Sequence, residues 1–186
     1  MIFDKSQCRE VYIECGVFLG QTIRQAAKSF EVCHGIEVVP KIYHELCLGI
    51  EIESVLRKEL GKIYLHLGNS VDVLPDIIDP TKKTTFFLDS HFTAANSATA
   101  PVKEITGTEC PLLDELKVIT SFDWSAPHMI FVDDWRMFKG EFWIEDKKRK
   151  NYHREDWPTL EKIKNVMADY EYIDGDITGV FTYHGE

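Results

Sequence analysis

Asp89 and His91 close the stretch TTFFLDSH (84–91), and Asp133 and Asp134 close MIFVDD (129–134). Each acid follows an apolar run that reads as a buried strand, so both runs deliver polar groups at a strand's end. In doubly wound sheets that end is where ligands bind. A third stretch, ECGVFLGQT (14–22), reads as a strand, a glycine-bearing turn and a helix start. Gly16 and Gly20 there let the backbone approach a ligand at the helix N-terminus. An acid about 20 residues beyond such a turn often holds a ribose, and Glu37, in GIEVVP (35–40), stands at that distance. The dinucleotide fingerprint GxGxxG is absent, because Phe18 stands where its second glycine would be. A tight turn with a core-facing Phe18 is the alternative reading.

The elements that must position these residues alternate. Strands are expected at 10–15, within 31–38, and at 62–68, 84–89 and 128–134. Helices are expected at 21–30, 40–60, 69–78, 111–119 and 158–169, with Pro40 as a good first helical residue and Gly61 as a stop. Residues 170–184 read as a hairpin turning at DGD (174–176). Residues 93–109 and 139–156 read as polar loops, either lids over the strand ends or plain connectors. Five strand-helix units followed by a hairpin predict an α/β chain: a doubly wound, mostly parallel sheet with helices on both faces. Consecutive apolar positions in the strands fit a sheet buried on both sides. Polar or glycine residues end every strand: Glu14 and Gly16, then Glu37, then Gly68, Asn69 and Ser70, then Asp89 and His91, then Asp133 and Asp134. Helix capping accounts for some of these equally well, Asn69 and Ser70 among them.

The chain has 186 residues, 44% hydrophobic and 28% charged, which suggests one domain over residues 1–186. A net charge of -10 argues against phosphate-backbone binding, so no nucleic-acid partner is expected. The basic run KKRK (147–150) is flanked by acids and reads as a solvated loop. The five cysteines contain no CxxC pair, which argues against a disulfide framework or a zinc site and for a reducing, cytoplasmic compartment. No signal peptide and no membrane-length apolar run is visible. His66, inside a strand, reads as a core histidine; His34, His44, His128, His153 and His184 show no metal-ligand spacing. Cys110 reads as a plain helix start, and Trp135 and Arg136 as either pocket lining or packing.

Taken together, YIECGVFLGQT, GIEVVPKIY and LHLGNSVDVLPDII resemble the successive motifs of the class I S-adenosylmethionine-dependent methyltransferases, over nearly the whole chain. FFLDSH, ECPLLDEL and MIFVDDWRMF resemble a narrower group, the FkbM-type and macrocin O-methyltransferase-like enzymes. The resemblance implies a Rossmann-like methyltransferase fold with a seven-stranded sheet, order 3-2-1-4-5-7-6, whose last pair is an antiparallel hairpin. It implies S-adenosylmethionine contacts at Glu14, Gly16, Gly20, Glu37, Asn69, Ser70 and Asp89, with Glu37 on the ribose. It implies Mg²⁺ ligands at Asp89, Asp133 and Asp134. His91 stands where the resembling enzymes carry an acid that can act as base, and an imidazole serves that role near neutral pH.

The chemistry so implied is in-line methyl transfer to a hydroxyl of a small molecule, a sugar or natural product. The protein aligns the nucleophile, a hard cation lowers the hydroxyl pKa, and His91 takes the proton. The sequence as given starts almost at its first strand, so no N-terminal extension is expected to cover the acceptor. A second subunit could supply that cover, which makes a homo-oligomer one option. A non-catalytic nucleoside-binding or interaction protein on the same fold is the second reading. A nicotinamide oxidoreductase is the third, opposed by the broken fingerprint and the terminal hairpin.

Overall fold

The structure is a computed structural model that describes residues 10–55, 57–91, 102–139 and 156–184. Strand β1 (Val11–Cys15) lies at the sheet's centre, with β2 (Val32–Glu37) and β3 (Ile63–Leu67) on one side. On the other side lie β4 (Thr84–Leu88), β5 (His128–Val132), β7 (Gly179–Tyr183) and β6 (Glu171–Ile173). The seven strands run in the order β3-β2-β1-β4-β5-β7-β6. The first five are parallel, and β7 pairs antiparallel with both β5 and β6. This is the topology expected from the sequence, hairpin included.

Helices cover both faces. On one side α1 (Gln21–Ala26) and α2 (Pro40–Ser54) bury Ile23, Ala26, Leu46 and Ile50 against Tyr12, Cys33 and Phe87. On the other, α3 (Ser70–Ile77), α5 (Leu112–Thr120) and α7 (Leu160–Val166) bury Leu74, Leu116, Ile119 and Ile163 against Ile13, Phe86 and Ile130. Strand β4 is buried at all five positions, which explains why TTFFL reads as an unbroken run rather than an alternating one. Two shorter helices, α4 (Val102–Thr106) and α6 (Trp135–Phe138), flank the carboxyl ends of β4 and β5.

Three expectations are revised. The long helix ends at Ser54, and a 3-10 turn over Lys58–Lys62 follows, burying Leu60 to 2% exposure. Gly49 and the β-branched Ile50, Ile52 and Val55 weaken that last stretch as helix. Helix α1 stops four residues before the expected Phe30; a tight turn returns Phe30 to the core, its N–H bonded to the Ala26 carbonyl. The polar stretch 93–109 contains α4 within its described part, while nearly all of 139–156 lies outside the described residues.

Candidate functional site

The parallel ladder sets the site. Cys15, Leu88 and Val132 stand abreast in register. The next residues continue it: Asp89 N–H bonds the Cys15 carbonyl at 2.9 Å and Asp133 N–H bonds that of Leu88 at 3.1 Å. Gly16 N–H does the same with Ile36 at 3.0 Å. Gly16, Asp89 and Asp133 therefore share one edge. A side chain at Gly16 is excluded twice over. Its φ is +83°, and a Cβ there would lie 2.3 Å from the Asp89 carbonyl oxygen.

Phe18 takes the left-handed backbone (φ 48°) that a glycine would adopt more easily. Glu37 compensates. Its Oε2 accepts the Phe18 N–H at 3.0 Å and its Oε1 the Val39 N–H at 2.9 Å. Glu37 is only 5% exposed, and burial lifts its pKa above the usual carboxylate value despite those bonds. Phe18 is 39% exposed and lines the cleft rather than facing the core.

An open cleft of about 580 Å³, solvent included, lies along this edge. Gly16 and Phe18 line it, with Glu37 to Val39, Asn69, Ser70 and Asp89 to His91. Thr106 and Pro111 line it as well. Asn69 stands at the N-cap of α3 but makes no side-chain cap, and its Oδ1 is buried with no hydrogen-bond partner. Ser70 does not cap either: its hydroxyl donates to Glu115. Ser90 donates to the same Glu115 oxygen, so one buried carboxylate ties the loop after β3 to the loop after β4.

His91 is 8% exposed and packs against Trp157, ring centroids 5.1 Å apart. Its Nε2 lies 3.0 Å from Asp134 Oδ2 and 3.6 Å from Asp89 Oδ1. Burial opposes a charge on this ring, but the Asp134 hydrogen bond and the carboxylates of Asp89, Asp134 and Asp133 outweigh it and hold its pKa above the usual imidazole value. The same His91 bond holds Asp134 below its ordinary value. Burial, reinforced by Asp133, Asp134 and Glu115, pushes Asp89 up to about 7 against the opposing pull of His91.

Of the residues singled out in the sequence, Gly16, Glu37, Asn69, Ser70, Asp89 and His91 meet around the cleft. Glu14 does not reach it. It is buried in the sheet, takes a hydrogen bond from Tyr12 Oη at 3.1 Å, and has its pKa raised by burial. Gly20 is outside the lining, with Arg24 donating to its carbonyl at 3.0 Å. Asp133 and Asp134 lie beyond the lining. The three aspartates do not converge on an open point, because the His91 ring stands between Asp89 and Asp134. Among the described residues no group of three His, Cys, Asp or Glu has a metal-holding arrangement. The donors as placed therefore do not fit the expected Mg²⁺ site.

Other readings resolve too. Trp135 is fully buried and donates from Nε1 to Asp174 Oδ1 at 2.9 Å and Tyr172 Oη at 3.0 Å, so it packs rather than lines a pocket. Cys110 is buried with its thiol pKa pushed up by burial, which suits a plain helix start. His66 is not a core histidine: it is half-buried on the sheet's edge strand. Glu115 was missed, although the sequence carried a signal. It falls on the stripe Leu112, Glu115, Leu116, Ile119 that α5 buries, so an acid interrupts an apolar face.

Fold and cleft together define the class of architecture: a Rossmann-like methyltransferase fold with a seven-stranded mixed sheet and a C-terminal antiparallel hairpin. No protein-family model matches the sequence, and no curated protein matches it. Solved structures match by shape. The chain is similar to the SAH-bound methyltransferase PaMTH1 of Podospora anserina, with a TM-score of 0.63 and 14% identity, over 95% of this chain and 71% of that one. It is similar to the O-methyltransferase TomG of Streptomyces achromogenes in complex with SAM, at 0.55 and 13%, over 97% and 74%. It is also similar to the methyltransferase domain of a bacterial Hen1, CtHen1-C, at 0.56 and 15%, over 97% and 91%. At such identities the likeness is one of fold. No helix among the described residues is long and apolar enough to cross a membrane.

Proposed function

We propose that this chain is an S-adenosylmethionine-dependent methyltransferase that methylates a hydroxyl of a small molecule, a sugar or natural product. Asn69 carries the reading. Its buried Oδ1 lacks a partner at the cleft wall, and an uncompensated buried acceptor is costly unless a ligand donor meets it. The exocyclic amine of adenine is such a donor. The Glu37 carboxylate accepts the Phe18 and Val39 N–H groups and keeps acceptor capacity for a ribose hydroxyl. The bare backbone at Gly16 permits close approach of the rest of the cosubstrate. Likeness of fold to SAM- and SAH-bound methyltransferases supports the same assignment.

When bound, S-adenosylmethionine supplies an activated methyl group for in-line displacement. The chain's own task is to align the acceptor hydroxyl and take its proton. His91 lines the cleft with Nε2 held by Asp134, so its other nitrogen accepts the proton once the ring has lost its charge; because the neighbouring carboxylates raise the ring's pKa, this step should strengthen as pH rises. A net charge of -10 favours a small uncharged or cationic acceptor over a nucleic acid.

Calorimetry with SAM, SAH and adenosine, each with and without Mg²⁺, tests the proposal. SAH should bind much more tightly than adenosine and independently of Mg²⁺. Binding of neither SAM nor SAH would sink it. The second reading, a non-catalytic nucleoside-binding protein, draws on Phe18, whose side chain lines the cleft where a glycine would leave space. Adenosine binding as tight as SAH would favour it.

A further inference from the structure

On the edge of the sheet remote from the His91 cluster, β2 and β3 carry two histidines that the proposed reaction does not use. His34 pairs in register with Tyr64, and His66 with Ile36, so the two histidines are diagonal neighbours on one sheet face. His34 Nδ1 and His66 Nε2 are 3.0 Å apart. The rings stack at 27°, and Tyr64 also stacks on His34 with centroids 5.6 Å apart. Both rings are half-buried, so one side remains open to water. We propose that His34 and His66 form a two-imidazole site for a borderline divalent cation, Zn²⁺, Cu²⁺ or Ni²⁺, that clips edge strand β3 to β2.

The geometry supports it. Metal–imidazole bonds of about 2.0–2.1 Å at a right angle put their two nitrogens about 2.9 Å apart. That is close to the spacing the sheet already imposes, so the nitrogens need not separate, and the two rings need only turn to aim both lone pairs at one point off the line that joins them. The two nitrogens now share one proton in a hydrogen bond. Moving that proton to the far nitrogen of its own ring frees both lone pairs without net proton release. Burial supports the same state, since it holds His34 down to about 4 and lowers His66, leaving both rings neutral and ligand-competent at pH 7. Hard cations such as Mg²⁺ are disfavoured by an all-nitrogen pair. No third His, Cys, Asp or Glu joins them among the described residues, so water completes the shell. The clip would steady the edge strand that leads directly into Gly68 and Asn69 of the cleft.

The site does not depend on the methyltransferase reading, and its test is separate. Calorimetry of the full chain at pH 7 with Zn²⁺ or Cu²⁺ alone should show one tight equivalent. His34→Gln and His66→Gln should each weaken it at least tenfold, and the double substitution should add little, because either change leaves a single ligand. SAH binding should be unchanged in all three. Tight metal binding that survives the double substitution overturns the proposal. Electron paramagnetic resonance of the wild-type Cu²⁺ complex needs no variant: coupling to two imidazole nitrogens is expected, and coupling to fewer refutes the site.

Discussion

Replacing Glu37 by alanine removes the one side chain that holds both the Phe18 turn and the start of the chain after β2. Two backbone N–H groups, of Phe18 and Val39, lose acceptors at 3.0 and 2.9 Å. An orphaned buried donor costs about 1–3 kcal/mol, so the pair sets a range of roughly 2–6 kcal/mol. Water from the open cleft can reach the space left behind, which favours the lower half, about 2–4 kcal/mol. Glu37→Gln keeps one carbonyl acceptor but turns its amide NH2 toward the other N–H, so it should lose roughly half as much. Guanidinium unfolding at pH 7 measures both changes, and calorimetry with SAH measures the ribose contact in the same samples. Expected are the stability order wild type, Gln, Ala, and at least a tenfold loss of SAH affinity for Glu37→Ala. A Glu37→Ala protein within about 0.5 kcal/mol of wild type would refute the backbone-holding role. Unchanged SAH affinity would refute the ribose assignment.

Gly16→Ala puts a Cβ 2.3 Å from the Asp89 carbonyl oxygen at a left-handed φ; the backbone term alone costs roughly 1–2 kcal/mol, and unfolding should show a larger total loss together with lost SAH binding. Phe18→Gly relieves a similar backbone cost but gives up part of a phenyl contact and adds chain entropy, so denaturation should place it within about 1 kcal/mol of wild type. His128 is fully buried, with its Nε2 2.7 Å from Tyr170 Oη, and burial lowers its pKa to about 4. The unfolded chain binds that proton near 6.5 and the folded chain does not. This stability is therefore complete above about pH 6.5 and lost as pH falls toward 4, by up to about 3 kcal/mol. His128→Gln should flatten the stability–pH slope across that window, and an unchanged slope would rule the assignment out. Glu115→Gln should disturb the Ser70 and Ser90 loops together, seen as matched loss of SAH affinity in Glu115→Gln and in Ser70→Ala.

Element order was legible in the residues because it is local. Apolar runs such as TTFFL, the glycine turn after Cys15 and the Gly16-to-Glu37 spacing announce strand, turn and strand, and parallel strands joined by helices leave few topologies open. Helix ends were less legible: whether the chain after Ser54 continues as helix depends on where Leu60 must go to reach the core, which no window of the sequence contains.

The sequence by itself determined that polar groups would gather at the carboxyl edge, since a strand's last residue is set by its own apolar run. Only the tertiary structure decided which of them touch. Ser70 and Glu115 are 45 residues apart, Ser90 and Glu115 are 25 apart, and His34 and His66 are 32 apart. His91 fills the space between Asp89 and Asp134 that a cation was expected to occupy. Ladder hydrogen bonds fix which residues stand abreast. Which side chains meet depends on how helices cross the sheet and where a neighbouring ring comes to rest, and both are set by packing among distant segments rather than by any local pattern.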